Sequence, residues 1–155
     1  MPRLRAYHEA DWPHLLALEL ETAEDSLGDT TDRERAVLRE RWPKLLAEQL
    51  RTTHPELWVM EGDAGKYLGH LWLSEKTGTL DGARVLEVTT MGIVKEARGQ
   101  GLGRVLMQKA ASAAREKKIE IVELSVAGNN RRARDLYRDL GYETTRRTMR
   151  MRLHE

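Results

Sequence analysis

The stretch "VKEARGQGLGRVL", residues 94–106, places glycines at 99, 101 and 103 where an apolar run gives way to a helical pattern. A glycine inside a helix costs about 1 kcal/mol relative to alanine, so three so close together need a physical reason. At a helix start, unpaired backbone N–H groups and the helix dipole favour an anion, and glycine lets the backbone approach its oxygens. The chemistry to weigh is therefore phosphate recognition. A GxxxxGK[ST] loop is excluded, because no Gly-Lys-Ser or Gly-Lys-Thr occurs in the chain. The dinucleotide fingerprint GxGxxG fails as well: Gly99 and Gly101 fit its first two glycines, but Arg104 takes the third place. Glu123 lies downstream where a ribose-binding carboxylate would be sought, yet it falls in mid-strand, not near a strand's carboxyl end.

A second pattern follows at residues 130–142, "NRRARDLYRDLGY". Asn130 stands where it would cap a helix or reach a ligand amide. Ala133, Leu136, Tyr137 and Leu140 share one helical face at three- and four-residue intervals. Gly141 suits the left-handed residue that ends a helix.

Taken in order, Arg98-Gly99-Gln100-Gly101-Leu102-Gly103 matches R/Q-x-x-G-x-G/A, and residues 130–142 match N-x-x-A-x-x-L-Y-x-x-x-G-F/Y. On these residues the chain resembles the GNAT family, the acyl-CoA-dependent N-acyltransferases; the motif-level resemblance covers about residues 83–142. The resemblance implies that Arg98, Gly99, Gln100, Gly101, Leu102, Gly103 and Arg104 hold the pyrophosphate of acetyl-CoA, with Asn130 beside it. It implies a splayed strand end from Thr89 to Ile93, where backbone groups of Met91 and Ile93 meet the pantetheine arm. Tyr137 aligns with the family's general acid, which protonates the leaving sulfur. Glu87 aligns with a glutamate that takes the amine's proton directly or through water. No covalent enzyme intermediate is implied.

The residues themselves leave alternatives. Tyr137 on an apolar helix face also reads as core. Glu87, between Val85, Leu86 and Val88, would be partly desolvated and suited to take up a proton near neutrality; it reads equally as one half of an ion pair with a neighbouring arginine. Family members that acetylate protein amino termini often carry a base where this chain has Ser125, and Glu123 on the same face is a weaker substitute. His70 in "YLGHLWL" is a further candidate by residue type, but a lone strand histidine reads as structural. The histidines show no metal-site spacing such as HExxH, so no metal is expected.

Positioning these residues requires an α/β (α+β) fold. "RLRAY" opens as a strand, and a helix follows from about Asp11 with Pro13 in its first turn. A polar loop over 22–32 leads to a second helical stretch, capped by Asp32 and kinked or split at Pro43. "LWVMEG" and "KYLGHLWLSE" flank a turn at Asp63-Ala64-Gly65. Residues 83–94 read as a central strand, and Leu102, Val105, Leu106, Ala110 and Ala113 recur at helical spacing. A strand over 119–126, a helix over 130–141 and a closing strand over 142–153 complete a β-α-α-β-β-β-α-β-α-β order. The expected architecture is a GNAT-type mixed, mostly antiparallel sheet of about six strands, with four helices on both faces. Residues 1–155 are expected to form one domain.

Bulk composition sets the boundaries. At 40% hydrophobic and 33% charged residues with net charge +1, the chain reads as globular and announces no polyanionic partner. It has no cysteine, hence no disulfide framework or thiolate chemistry. No apolar run approaches the roughly 18 residues that cross a bilayer, so a cytoplasmic setting without membrane contact is expected.

The expected acceptor is a small-molecule amine or a peptide or protein amino group. Glu19, Glu21, Glu24, Asp25, Asp29 and Asp32 form an acid-rich N-terminal region, either a lure for a cationic amine or a solvated surface with helix caps. Arg146, Arg150 and Arg152 line one face of the closing stretch. They would touch nucleic acid or the 3′-phosphate of CoA, or simply meet solvent, and the last is favoured. A homodimer is compatible with the sequence. A non-catalytic acyl-CoA sensor and, more weakly, a dinucleotide-binding module are the alternatives to an acetyltransferase.

Overall fold

The computed structural model describes residues 1–28, 30–78 and 80–153. Strands β1 (Arg3–Ala6), β2 (Glu56–Glu61), β3 (Tyr67–Thr77), β4 (Arg84–Ile93) and β5 (Ile121–Leu124) lie side by side in that order. Neighbours from β1 to β4 run antiparallel, and β5 lies parallel to β4. The helices are α1 (Trp12–Leu27), α2 (Asp32–Thr53), α3 (Leu102–Glu116) and α4 (Arg131–Asp139). This is the mixed, mostly antiparallel sheet that the family resemblance implies, with five strands among the described residues where about six were expected.

The sheet is covered on both faces because its central strands are apolar on both. Leu71, Leu73, Leu86 and Val88 face Leu102, Leu106, Met107 and Ala110 of α3, with Leu136 and Tyr137 of α4 at the border of that core. On the other face Trp72 packs with Leu15 of α1 and Leu46 of α2, with Trp42 beside them. Side chains alternate along a strand, so neighbouring residues of β3 serve opposite cores.

A bulge interrupts this alternation at the point that matters for the site. Leu73 pairs with Val88 and Trp72 with Thr90, which leaves Thr89 without a partner of its own. An extra residue shifts the side-chain parity of the strand beyond it. Met91 and Ile93 thus reach the core that Leu86 and Val88 also reach. β5 pairs with β4 only over Val85–Val88. From Thr90 to Ile93 β4 is paired with β3, and from Thr89 to Ile93 it is open on the β5 side.

Four local expectations are corrected. The polar loop expected over 22–32 starts later, because α1 continues to Leu27. α2 runs unbroken for 22 residues through Pro43. Its burial of Leu46, with Trp42 and Leu50 against the same cluster, offsets the bond that proline removes. Its cap is Thr31, not Asp32: the Thr31 hydroxyl accepts from the Glu34 amide, and the Glu34 carboxylate accepts from the Thr31 amide. Residues 142–153 form no strand. Met149, Met151 and Leu153 stay exposed there, so the alternation buries nothing that would fix it to a sheet edge, and Arg152 instead reaches Glu34 of α2 at 2.7 Å.

Trp72 is fully buried between α1 and the sheet, so Trp72→Ala is expected to cost about 3–5 kcal/mol in urea unfolding. Val37→Ala, at a half-exposed site on α2, should stay within about 0.5 kcal/mol.

Candidate active site

The glycine stretch forms the turn between β4 and α3. Gly99 and Gly101 hold φ of +84° and +77°, a region costly for residues with a Cβ. Gly101 is the residue before the first turn of α3, and nothing lies within 4 Å of where its Cβ would stand. Open space therefore meets the unpaired N–H groups of a helix start. Gly103 serves packing: a Cβ there would stand 3.3 Å from Leu136 Cδ2 and 3.8 Å from Met91 Cε. The start of α3, the middle of α4 and the open end of β4 thus meet at one residue.

The flanking side chains have distinct tasks. Arg98 donates from Nε to the Ile93 carbonyl at 3.1 Å, tying the loop back to the end of β4. Gln100 and Arg104 are exposed, Leu102 is core, and Arg104 lies 3.8 Å from Asp139 of α4. Asn130 caps α4, its Oδ1 accepting from the Ala133 amide at 3.2 Å. Arg132, which no motif singled out, brings a guanidinium nitrogen 3.6 Å from where a Gly99 Cβ would stand. It is a cation brought beside the glycine turn by the first turn of α4. Its only sequence signal is its place in the arginine-rich start of α4.

Tyr137 sits on α4 against the α3-side core, with the Tyr142 ring 5.8 Å away. Burial, and then the neighbouring Tyr142, push its hydroxyl up to about 12. It stays protonated throughout the neutral range.

Glu87 lies on the opposite face, since Leu86 and Val88 on either side of it belong to the α3-side core. Its carboxylate is about a third exposed and paired with Lys76 at 2.7 Å. Thr89 donates to its other oxygen at 3.4 Å. The partner is a lysine rather than an arginine, and polar neighbours replace the apolar surroundings that the flanking residues suggest. Glu123 faces Glu87 in register across the parallel edge. Ser125 lies just past the end of β5.

The acid-rich N-terminal region divides. Glu19 is buried, its Oε1 2.5 Å from Nε2 of the fully buried His70. His70 Nδ1 in turn lies 2.5 Å from the Tyr67 hydroxyl, which burial pushes well above the ordinary tyrosine range. These residues fasten α1 to β3. Glu24 pairs with Arg39 of α2, and Asp32 opens α2. Asp29 lies outside the described residues. Among the described residues no three His, Cys, Asp or Glu side chains gather as metal ligands would, and no helix is long and apolar enough to cross a membrane.

Comparison with known proteins gives one consistent result. The profile of the acetyltransferase (GNAT) family matches residues 12–142. A mycothiol acetyltransferase of Beutenbergia cavernae is 36% identical over 87 residues, covering 56% of this chain and 28% of that protein. The chain thus spans little more than a quarter of that relative's length. Among solved structures, a Pyrococcus furiosus protein assigned as an acetyl transferase superposes with a TM-score of 0.85 at 22% identity, covering 99% of this chain and 100% of that one. A Clostridium acetobutylicum protein predicted as an acetyltransferase, whose crystal structure contains acetyl-CoA, superposes with a TM-score of 0.72 at 15% identity, covering 98% and 96%. At these identities the superpositions speak to the fold.

The buried phenol offers a direct check. Difference titration of phenolate absorbance between the protein and its Tyr137→Phe variant should show a group ionising near pH 12, well above free tyrosine at about 10. A difference signal centred near 10 would contradict the burial assigned to it.

Proposed function

Since the chain belongs to the acetyltransferase (GNAT) family, we propose that it moves an acetyl group from acetyl-CoA to a primary amine by direct attack in a ternary complex. The observation that carries this reading is the parting of β5 from β4 after Val88. Tyr137 packs against the core on one face of the sheet, and Glu87 lies on the other face, one residue before the last paired position of β4 and β5. An acid and a base on opposite faces serve one reaction only where the sheet is open between them.

Acetyl-CoA supplies an activated acetyl group whose leaving group is a thiolate. The chain's residues suit its parts in turn. The unpaired N–H groups at the start of α3, the open space at Gly101 and the Arg132 guanidinium suit a pyrophosphate. The unpaired edge of β4 from Thr89 to Ile93, including Met91 and Ile93, suits the amide groups of a pantetheine arm. Asn130 keeps its side-chain amide N–H groups for the same ligand while its oxygen caps α4.

In the proposed reaction Glu87 takes a proton from the acceptor amine, directly or through water, so that the nitrogen lone pair is free to attack. Backbone N–H groups of the open strand polarise the acyl oxygen. As the C–N bond forms and the C–S bond breaks, Tyr137 gives its proton to sulfur. A phenol that keeps its proton through neutral pH always has one to give. The acceptor is a small-molecule amine or a peptide amino group.

The test is thiol release from acetyl-CoA across a panel of amines. Tyr137→Phe should keep acetyl-CoA affinity within about twofold and lower turnover at least about tenfold. Acetyl-CoA binding with no thiol release on any amine would instead mark an acyl-CoA sensor. Unchanged single-turnover rates in Tyr137→Phe would remove Tyr137 from the role.

A further inference from the structure

The face of the sheet that carries Glu87 also carries Lys76, which belongs to no motif. Lys76 stands on β3 two residues past Ser74, the register partner of Glu87. Its Nζ donates to Glu87 Oε2 at 2.7 Å and lies 3.3 Å from Glu123 Oε1. Glu87 and Glu123 are direct partners across the parallel edge, one register pair before β5 leaves β4. Like charges abreast on neighbouring strands repel, and a pair of carboxylates without a cation between them tends to share a proton.

We infer that Lys76 is a positioning residue for the proposed acyl transfer: its ammonium bridges Glu87 and Glu123 and presents the Glu87 carboxylate, charged and in a fixed orientation, beside the opening in the sheet. The inference rests on Glu87 acting as the base. Lys76 takes one carboxylate oxygen of Glu87, and the Thr89 hydroxyl lies 3.4 Å from the other. Ser74, also on this face, offers its hydroxyl oxygen to the same Thr89 proton at 3.2 Å. The hydrogen bond that Lys76 donates to Glu87, reinforced by Glu123, holds its ammonium above the ordinary lysine range, so the bridge keeps its charge. Of the carboxylates of α1, the helix packed on this face, Glu19 is engaged by His70 and Glu24 by Arg39, while Glu21 and Asp25 complete its acidic set. Lysine on β3 does here what a loop residue could not, because the pairing of β3 with β4 fixes the distance from its stem to the carboxylate.

The experiment compares pH–rate profiles of kcat/KM for the full chain, Lys76→Met, Lys76→Arg and Glu87→Gln, with acetyl-CoA and the best amine of the panel. Lys76→Met should move the acidic limb upward by about 1 pH unit, because two adjacent carboxylates without their cation retain a proton to higher pH. Lys76→Arg should restore the limb, and KM for acetyl-CoA should stay unchanged in both. A residue that only braced the strand end would lower stability and leave the limb in place. If the limb disappears in Glu87→Gln but stays unmoved in Lys76→Met, the positioning role is overturned and the base assignment survives. If Glu87→Gln keeps the native limb, the base assignment fails and the role of Lys76 fails with it.

Discussion

Backbone N–H and C=O groups inside a sheet need partners, and beyond Val88 β4 finds them among the described strands on the β3 side alone, from Thr90 to Ile93. Five residues of central strand are thereby left with one edge that neither β5 nor another strand satisfies. The glycine turn begins directly beyond that edge, and Gly103 packs on Met91 within it. The bulge at Thr89 turns Met91 and Ile93 toward α3 and α4 while Glu87, before the bulge, faces the other way. A fully paired β4 would separate the two faces of the sheet and with them the candidate acid and base.

Keeping the gap open requires the rest of the sheet to be rigid. β3 and β4 are fixed to each other along almost their whole length, and each face bears its own core. α1 is anchored through the buried Glu19–His70–Tyr67 contacts. Buried ionisable groups are costly to desolvate and add little net stability. Their hydrogen bonds do impose a single seating on α1, the helix that covers the Glu87 face.

Much of this was legible in the chain. The hairpin at Asp63-Ala64-Gly65, the central strand, the amphipathic α3 and the short α4 each carry a local signal strong enough to survive tertiary context. The glycine turn and Asn130 were legible because a positive φ and a helix cap both restrict residue type. The unbroken α2 was not legible at Pro43, since burial of Leu46 rather than local propensity decides it. The closing strand was misleading for the opposite reason: Arg and Met alternate with the right period but find no sheet edge to join. Within the site, the bulge at Thr89 left no trace because "RVLEVTTMGIV" is apolar on both faces. Lys76 and Arg132 were invisible for another reason. Each is an ordinary cation in sequence, and only the register of β3 on β4 and the approach of α4 to the turn bring it to the site.

The open edge of β4 is also the feature most directly open to measurement. Amide hydrogen exchange should be followed residue by residue with and without acetyl-CoA. Slowed exchange at Thr89–Ile93 and across Gly99–Arg104, with β1 and β2 unchanged, is the expected result. Saturating acetyl-CoA that leaves those amides unprotected, or protects a different part of the sheet, would contradict the central claim that the parting of β4 and β5 receives the acyl donor.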